Sequence, residues 1–218
     1  MSQISETKSE QPINPKTEIV GLKSLKEEYL FRKIKRSDIE TLQELQNKVF
    51  GHKFSFRFLK PLIGSKLACL VFHKKTGELV GSITARVEIE RNWFSKNKVK
   101  GYISSIGLAL EHSGKGIGYN LLNHIVKYFV NAHQAQEIYL HTRQTNVRAV
   151  TFYKRYGFQI TSKVAGYYSS RKTDPDAYIM TFYPRCVVKL KQTSSNKLQD
   201  RINKVNPEKK PLNEKNQK

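Results

Sequence analysis

From Leu30 to Tyr183 the chain switches between a two-residue and a three-to-four-residue hydrophobic period, and each switch marks a new element. Leu30–Lys35 alternates weakly, as a first strand does. Ser37-x-x-Glu40 has the spacing of a capping box, and Ile39, Leu42, Leu45 and Val49 then fall on one helical stripe. Phe50–Phe58 is rich in Phe and Lys, and Pro61 with Gly64 ends any short helix it holds. Leu67–His73 is dense in apolar and β-branched residues. KKTGE at 74–78 reads as a turn, and Leu79–Ile89 as the returning arm of a hairpin. Arg91–Lys100 reads as a polar, basic loop around Trp93.

The central stretch follows. Tyr102–Leu110 is predicted as a strand, Glu111–Gly118 as a glycine-rich elbow, and Ile117 to about His133 as a long apolar-striped helix. Glu137–Thr142 predicts a short strand and Asn146–Tyr156 a second helix. Phe158–Val164 and Asp176–Tyr183 predict a closing antiparallel pair. This order predicts an α/β (α+β) domain: a mixed, mostly antiparallel seven-stranded sheet with helices on both faces. Residues 1–29 lack periodicity and carry prolines at 12 and 15, so apart from a short turn at Leu22–Tyr29 they are expected to form a disordered tail ahead of a domain at 30–185. Residues 186–218 hold eight Lys and one Arg against three acidic residues (9 − 3 = +6), and are expected to form a basic, disordered second tail.

Composition narrows the class. Hydrophobic residues make up 38% of 218, enough for one core but not for the whole length. No apolar run approaches the ~20 residues of a membrane-spanning helix. The N-terminus lacks the apolar stretch of a signal peptide. Two cysteines, Cys69 and Cys186, cannot build a disulfide framework or a Cys-based zinc site. The expectation is an intracellular, cytoplasmic, metal-free protein. The charge is unusual: 39 Lys and Arg against 18 Asp and Glu give +21, which favours contact with nucleic acid, an acidic membrane surface or an acidic ligand.

The elbow is where chemistry enters. Gly114, Gly116 and Gly118 sit where a strand hands over to a helix. Glycine permits positive φ and close approach to the backbone, and a helix N-terminus offers unpaired N–H groups. Strand, glycine loop and helix together make a phosphate cradle, although such glycines also serve plain turns. Asn146 and Gly157 bracket the next helix as N-cap and C′ residues.

SGKGIG, then LHTRQTNVRAVTFYKRYGF, resembles the coenzyme-A-binding core of the GNAT acetyltransferases. Within them the chain is similar to the N-terminal acetyltransferases of the NatE type and, more distantly, NatF. The resemblance covers about Leu30 to Tyr183. Its motifs are GKGIG, YLH, N-x-x-A-x-x-FY-x-x-x-GF and the pair Tyr167–Tyr168. It implies the GNAT fold, acetyl-CoA as cofactor, and peptide N-termini as substrate. Ile106, Gly107, Leu108, Ser113, Gly114, Lys115, Gly116, Ile117, Gly118, Tyr119 and Asn146 are then expected to line the cofactor, with Leu108 near its thioester. Where the family opens its loop with Arg or Gln this chain has Ser113, and Lys115 is expected to supply the charge.

The same resemblance implies catalytic roles for Tyr102 and His141, and makes Tyr153, also expected beside the cofactor, the donor of a proton to the departing thiolate. A peptide α-amine with pKa about 7.7–8.0 must lose a proton to attack, and a histidine near 6.5 suits that task. Tyr102 would be a base only if strongly perturbed, so it is expected to orient a water instead. Tyr167 and Tyr168 are expected to clamp the peptide. Ser104, Phe50, His52 and Phe54 complete the expected substrate side, with Gly51 and His52 departing from the NatE pocket.

Two classes of function stay open on the sequence: an acetyltransferase, acting on peptide α-amines or alternatively on lysine or small amines, and a catalytically silent basic binding module. For the excess charge the ribosome is the favoured partner, with an acidic membrane face as competitor; membership of a larger N-terminal acetyltransferase complex is a further expectation.

Overall fold

A computed structural model describes residues 25–91, 93, 96–168 and 175–184. Residues 1–24 of the expected first tail and the whole of the second, Cys186 included, lie outside the described residues.

Strand β2 (Ala68–His73) shows why the sheet must be covered twice. Its odd positions Cys69 and Val71 enter one buried cluster, and its even positions Ala68 and Leu70 enter another. Successive side chains of a strand point to opposite faces, so four consecutive apolar residues need a layer on each side. Helix α1 (Ile39–Phe50) brings Leu42 and Leu45 to the second cluster, together with Leu59 of the short helix α2 (Phe56–Leu59). Helix α3 (Ile117–His133) fills the first cluster with Ile117, Leu121, Leu122, Ile125, Val126 and Phe129; α4 (Val147–Tyr156) adds Tyr153.

The remaining strands are β1 (Tyr29–Arg32), β3 (Leu79–Glu90), β4 (Lys98–Leu108), β5 (Glu137–Arg143), β6 (Gln159–Val164) and β7 (Ala177–Phe182). They form one seven-stranded sheet in the order β1-β2-β3-β4-β5-β7-β6. Only β4 and β5 pair in parallel; every other neighbour is antiparallel. The expected sheet, strand count and two helical layers are all present.

Several strand ends shift, such as β1 at Tyr29–Arg32 in place of the expected Leu30–Lys35 and β4 ending at Leu108 in place of Leu110. Three further differences have a physical reason. The fold begins before residue 30: the short turn expected at Leu22–Tyr29 is helical over 25–28, and Leu25 and Tyr29 are not part of a tail but buried in the core. Strand β4 starts at Lys98 rather than Tyr102. Lys98 and Lys100 sit on it because Glu137 of β5 takes both, at 2.5 and 3.0 Å, and Glu90 of β3 takes Lys100 at 2.8 Å. The capping role assigned to Ser37 and Glu40 falls to Asp38. Its carboxylate accepts the Lys35 backbone N–H at 2.7 Å and both terminal nitrogens of Arg32 at 2.6 and 2.8 Å.

Arg32 holds the buried Asp38 carboxyl below the usual range, and the Lys35 N–H adds to the effect against the opposing pull of burial. Asp38→Ala is expected to cost about 1–2 kcal/mol, since it removes the acceptor of a half-buried guanidinium and of an N–H. Urea unfolding at neutral pH measures this. A depressed folded pKa means the contribution is present above the unfolded pKa of about 3.9 and is lost as pH falls through the folded value.

Candidate functional site

The sheet opens at its middle. β4 and β5 pair only over Lys100–Tyr102 with Glu137–Tyr139. Beyond that, β4 runs on to Leu108 against β3 alone, while β5 runs on to Arg143 against β7. The two strands diverge into a wedge, leaving backbone groups of residues 103–108 unpaired on the β5 side. The register of β4 against β3 also slips by one residue. Ser105 faces Thr84 and Ile103 faces Ala85, so Ser104 is the extra residue of a bulge. Its hydroxyl is buried without a hydrogen-bond partner among the described residues.

The elbow lies at the C-terminal end of β4. A 3-10 turn at Leu110–His112 leads into extended Ser113, and Gly114 and Gly116 take φ of 80° and 82°. Both sit in the left-handed region where glycine is favoured. Ile117 then starts a 17-residue helix whose N-cap makes no side-chain bond, so its first-turn N–H groups keep their capacity for an external acceptor. A Cβ built on Gly114 would meet nothing within 4 Å, and one on Gly118 would rest on Phe152 at 3.6 Å. An open, donor-lined loop at the positive end of a long helix fits the diphosphate of a nucleotide-type cofactor.

Helix α4 closes the far side. Asn146 caps it, accepting the Ala149 N–H at 3.1 Å, and Gly157 ends it with φ 115°. Arg148, in the first turn, donates from its guanidinium to the Ser113 hydroxyl. The Lys115 ammonium turns away from the loop to Glu28 at 3.2 Å and the Tyr29 hydroxyl at 3.0 Å. The cation standing over the elbow is therefore Arg148, not Lys115. Sequence reasoning missed it, although a cation in the first turn opposes the helix dipole and is a signal in itself.

At the apex of the wedge, where the strands part, Tyr102 of β4 and His141 of β5 meet. His141 Nδ1 lies 3.3 Å from the Tyr102 hydroxyl, which lies 3.2 Å from the hydroxyl of Tyr167. The Tyr167 ring stacks on the imidazole at 4.1 Å and 6°. Tyr168 meets Tyr167 edge-on, with the Arg143 guanidinium 4.1 Å above its ring. Burial pushes the Tyr102 hydroxyl far above its ordinary value, and the Tyr167 hydroxyl adds to this. Burial lowers His141, and Arg86 lowers it further. Arg86 reaches the pair because it lies over the Tyr102 ring at 3.9 Å, ion-paired to Glu88 at 2.7 Å. At neutral pH the cluster therefore holds a neutral imidazole beside a protonated phenol.

The other expected residues occupy two places. Tyr153 is buried between Phe152 and Phe158, and burial raises its hydroxyl strongly, with a further contribution from Tyr168. Phe50, His52 and Phe54 form an aromatic run with Phe58 across the α1–α2 connection, with ring centroids 4.9 to 6.2 Å apart. Phe50 packs on Gly107 so closely that a Cβ there would stand 2.7 Å from its ring. That contact ties the aromatic run to the end of β4. Ile106 and Leu108 pack against the core at the same end, and Tyr119 lies against Tyr156 at 5.3 Å.

Known proteins share this fold. The chain is 28% identical over 145 residues to N-alpha-acetyltransferase 50 of Danio rerio, covering 66% of this chain and 81% of that protein. It is also 28% identical over 160 residues to an N-alpha-acetyltransferase of Sulfurisphaera tokodaii, covering 70% and 92%. Among solved structures, Arabidopsis thaliana Naa50 in complex with the bisubstrate analogue CoA-Ac-MVNAL matches with a TM-score of 0.61 at 26% identity, over 71% of this chain and 98% of that one. Residues 34–158, more than half of the sequence, match the model of the acetyltransferase (GNAT) family, and the chain belongs to that family.

Proposed function

We propose that the protein transfers the acetyl group of acetyl-CoA to the α-amino group of peptides. The observation that carries this reading is the His141–Tyr102–Tyr167 cluster, set at the apex of the β4–β5 wedge whose open end leads to the glycine elbow. The elbow at 113–119, the β4 backbone around Ile106–Leu108 that β5 leaves unpaired, Asn146 and Tyr153 would hold the cofactor, which supplies an acetyl group activated as a thioester.

The chain's own residues then have separable tasks. His141, kept neutral by burial and Arg86, takes the proton of the attacking ammonium. Its Nδ1 is fixed on the Tyr102 hydroxyl, which leaves Nε2 to face the substrate. Tyr102 stays protonated, so it orients the base rather than acting as one. Tyr153 also keeps its proton and carries the one that a thiolate leaving group requires. Tyr167 and Tyr168 flank the cluster, and Phe50, His52 and Phe54 line the side reached by the first side chain.

Steady-state rates on peptides that differ in their first two residues, measured beside a polyamine, test this reading. Peptides with an apolar first residue are expected to give the highest kcat/KM, because the available wall is aromatic. Preferential turnover of the polyamine would instead favour the small-amine reading.

The reading extends to location. A charge of +21 suits an enzyme held in the cytoplasm on ribosomal RNA, where new N-termini emerge. Among the described residues no helix is long and apolar enough to cross a membrane. Co-sedimentation with ribosomes is expected to fall steeply as salt rises, and to weaken when residues 186–218 are removed. Salt-independent binding, or none at low salt, argues against docking by charge.

A further inference from the structure

We propose that Arg148 is the cofactor-binding cation of this chain, contacting the pyrophosphate that the glycine elbow receives. The inference rests on the acetyl-CoA reading above.

Three observations support it. First, Arg148 reaches across the wedge from α4 and hydrogen-bonds Ser113, the residue just before the two left-handed glycines. Its guanidinium is thereby placed over the open loop. Second, the neighbouring cations are already committed. Lys115 is held by Glu28 at 3.2 Å and Lys48 by Glu111 at 3.2 Å, whereas among the described residues Arg148 makes no ion pair. A hydroxyl satisfies one of the five donors of a guanidinium, and the fork that remains matches the oxygens of a phosphate. Third, Arg148 occupies the first turn of α4, where the helix dipole opposes a positive charge. That cost is offset once an anion enters the loop between the N-termini of α3 and α4. Ser113 then acts as the rest that keeps the side chain extended across the wedge.

The claim predicts a ligand-dependent defect. Calorimetric titration of the full chain compares acetyl-CoA, its analogue lacking the 3′-phosphate, and S-acetylpantetheine, which has no phosphate. Arg148→Gln is expected to weaken acetyl-CoA and the dephospho analogue by the same factor, about tenfold or more, as for loss of a charge-assisted hydrogen bond. S-acetylpantetheine should bind wild type and variant alike, and Arg148→Lys should recover part of the loss. Thermal unfolding checks that the variant folds.

Equal weakening of all three ligands, or of none, overturns the assignment. A defect confined to acetyl-CoA and absent for the dephospho analogue overturns the pyrophosphate contact in favour of the 3′-phosphate. Failure of the wild type itself to bind acetyl-CoA removes the cofactor reading, and this assignment with it.

Discussion

His141→Ala lowers turnover on a peptide substrate by about 10²–10⁴-fold, the range for loss of a general base, and leaves acetyl-CoA affinity nearly unchanged. The separation follows from position. His141 stands on β5 near the apex of the wedge, hydrogen-bonded to Tyr102 and stacked on Tyr167, whereas the elbow lies at the far end of β4. The pH profile adds a second signature. The imidazole lies below its ordinary value, with burial the main cause and Arg86 the second. Its deprotonation therefore completes at a pH below that of a free histidine, and kcat rises with pH only in that acid limb. Removing the Arg86 charge should move the limb upward, because one of the two influences holding the imidazole down is lost. An unchanged rate for His141→Ala at saturating substrate would take His141 out of the mechanism.

The second large effect belongs to the elbow. Gly116→Glu abolishes measurable acetyl-CoA binding, while Gly116→Ala weakens it modestly. Gly116 has φ 82°, so any side chain there meets strain of about 1–2 kcal/mol. The added Cβ itself finds room, the nearest atom being Leu25 Cδ1 at 3.5 Å. Alanine therefore reports the strain alone. Glutamate adds a negative charge to a loop built to receive one, at the positive end of α3. Calorimetry on both variants separates the two causes. Equal effects of Ala and Glu would assign the loss to backbone strain rather than to the anion site.

Much of this architecture is legible in the sequence because its periods are strong. The stripe of Ile117, Leu121, Leu122, Ile125 and Phe129 and the apolar run of β2 each admit one assignment. The glycine elbow and the Asn146–Gly157 bracket are local chemistry, and the structure keeps them as expected. Long-range pairing is not legible in the same way. Lys98 and Lys100 look like loop residues until Glu137, 37 or more positions away in the chain, is brought beside them. Asp38 displaced Ser37 as the capping group because Arg32 stands next to it in space. The contacts of Arg148 with Ser113 and of Arg86 with Tyr102 are long-range too: the first-turn position of Arg148 marks it as unusual, but not which residue it meets. The parallel β4–β5 contact that opens the wedge is likewise set by topology, since three residue pairs decide where the strands part.

One measurement bears on the central claim most directly. A peptide carrying both a free α-amine and an internal lysine is incubated with the protein and acetyl-CoA, and the product is fragmented in a mass spectrometer. The account predicts one added acetyl group, located on the N-terminal fragment and lost with His141→Ala. An acetyl group on the lysine fragment, or no transfer by a protein that binds acetyl-CoA, would contradict it.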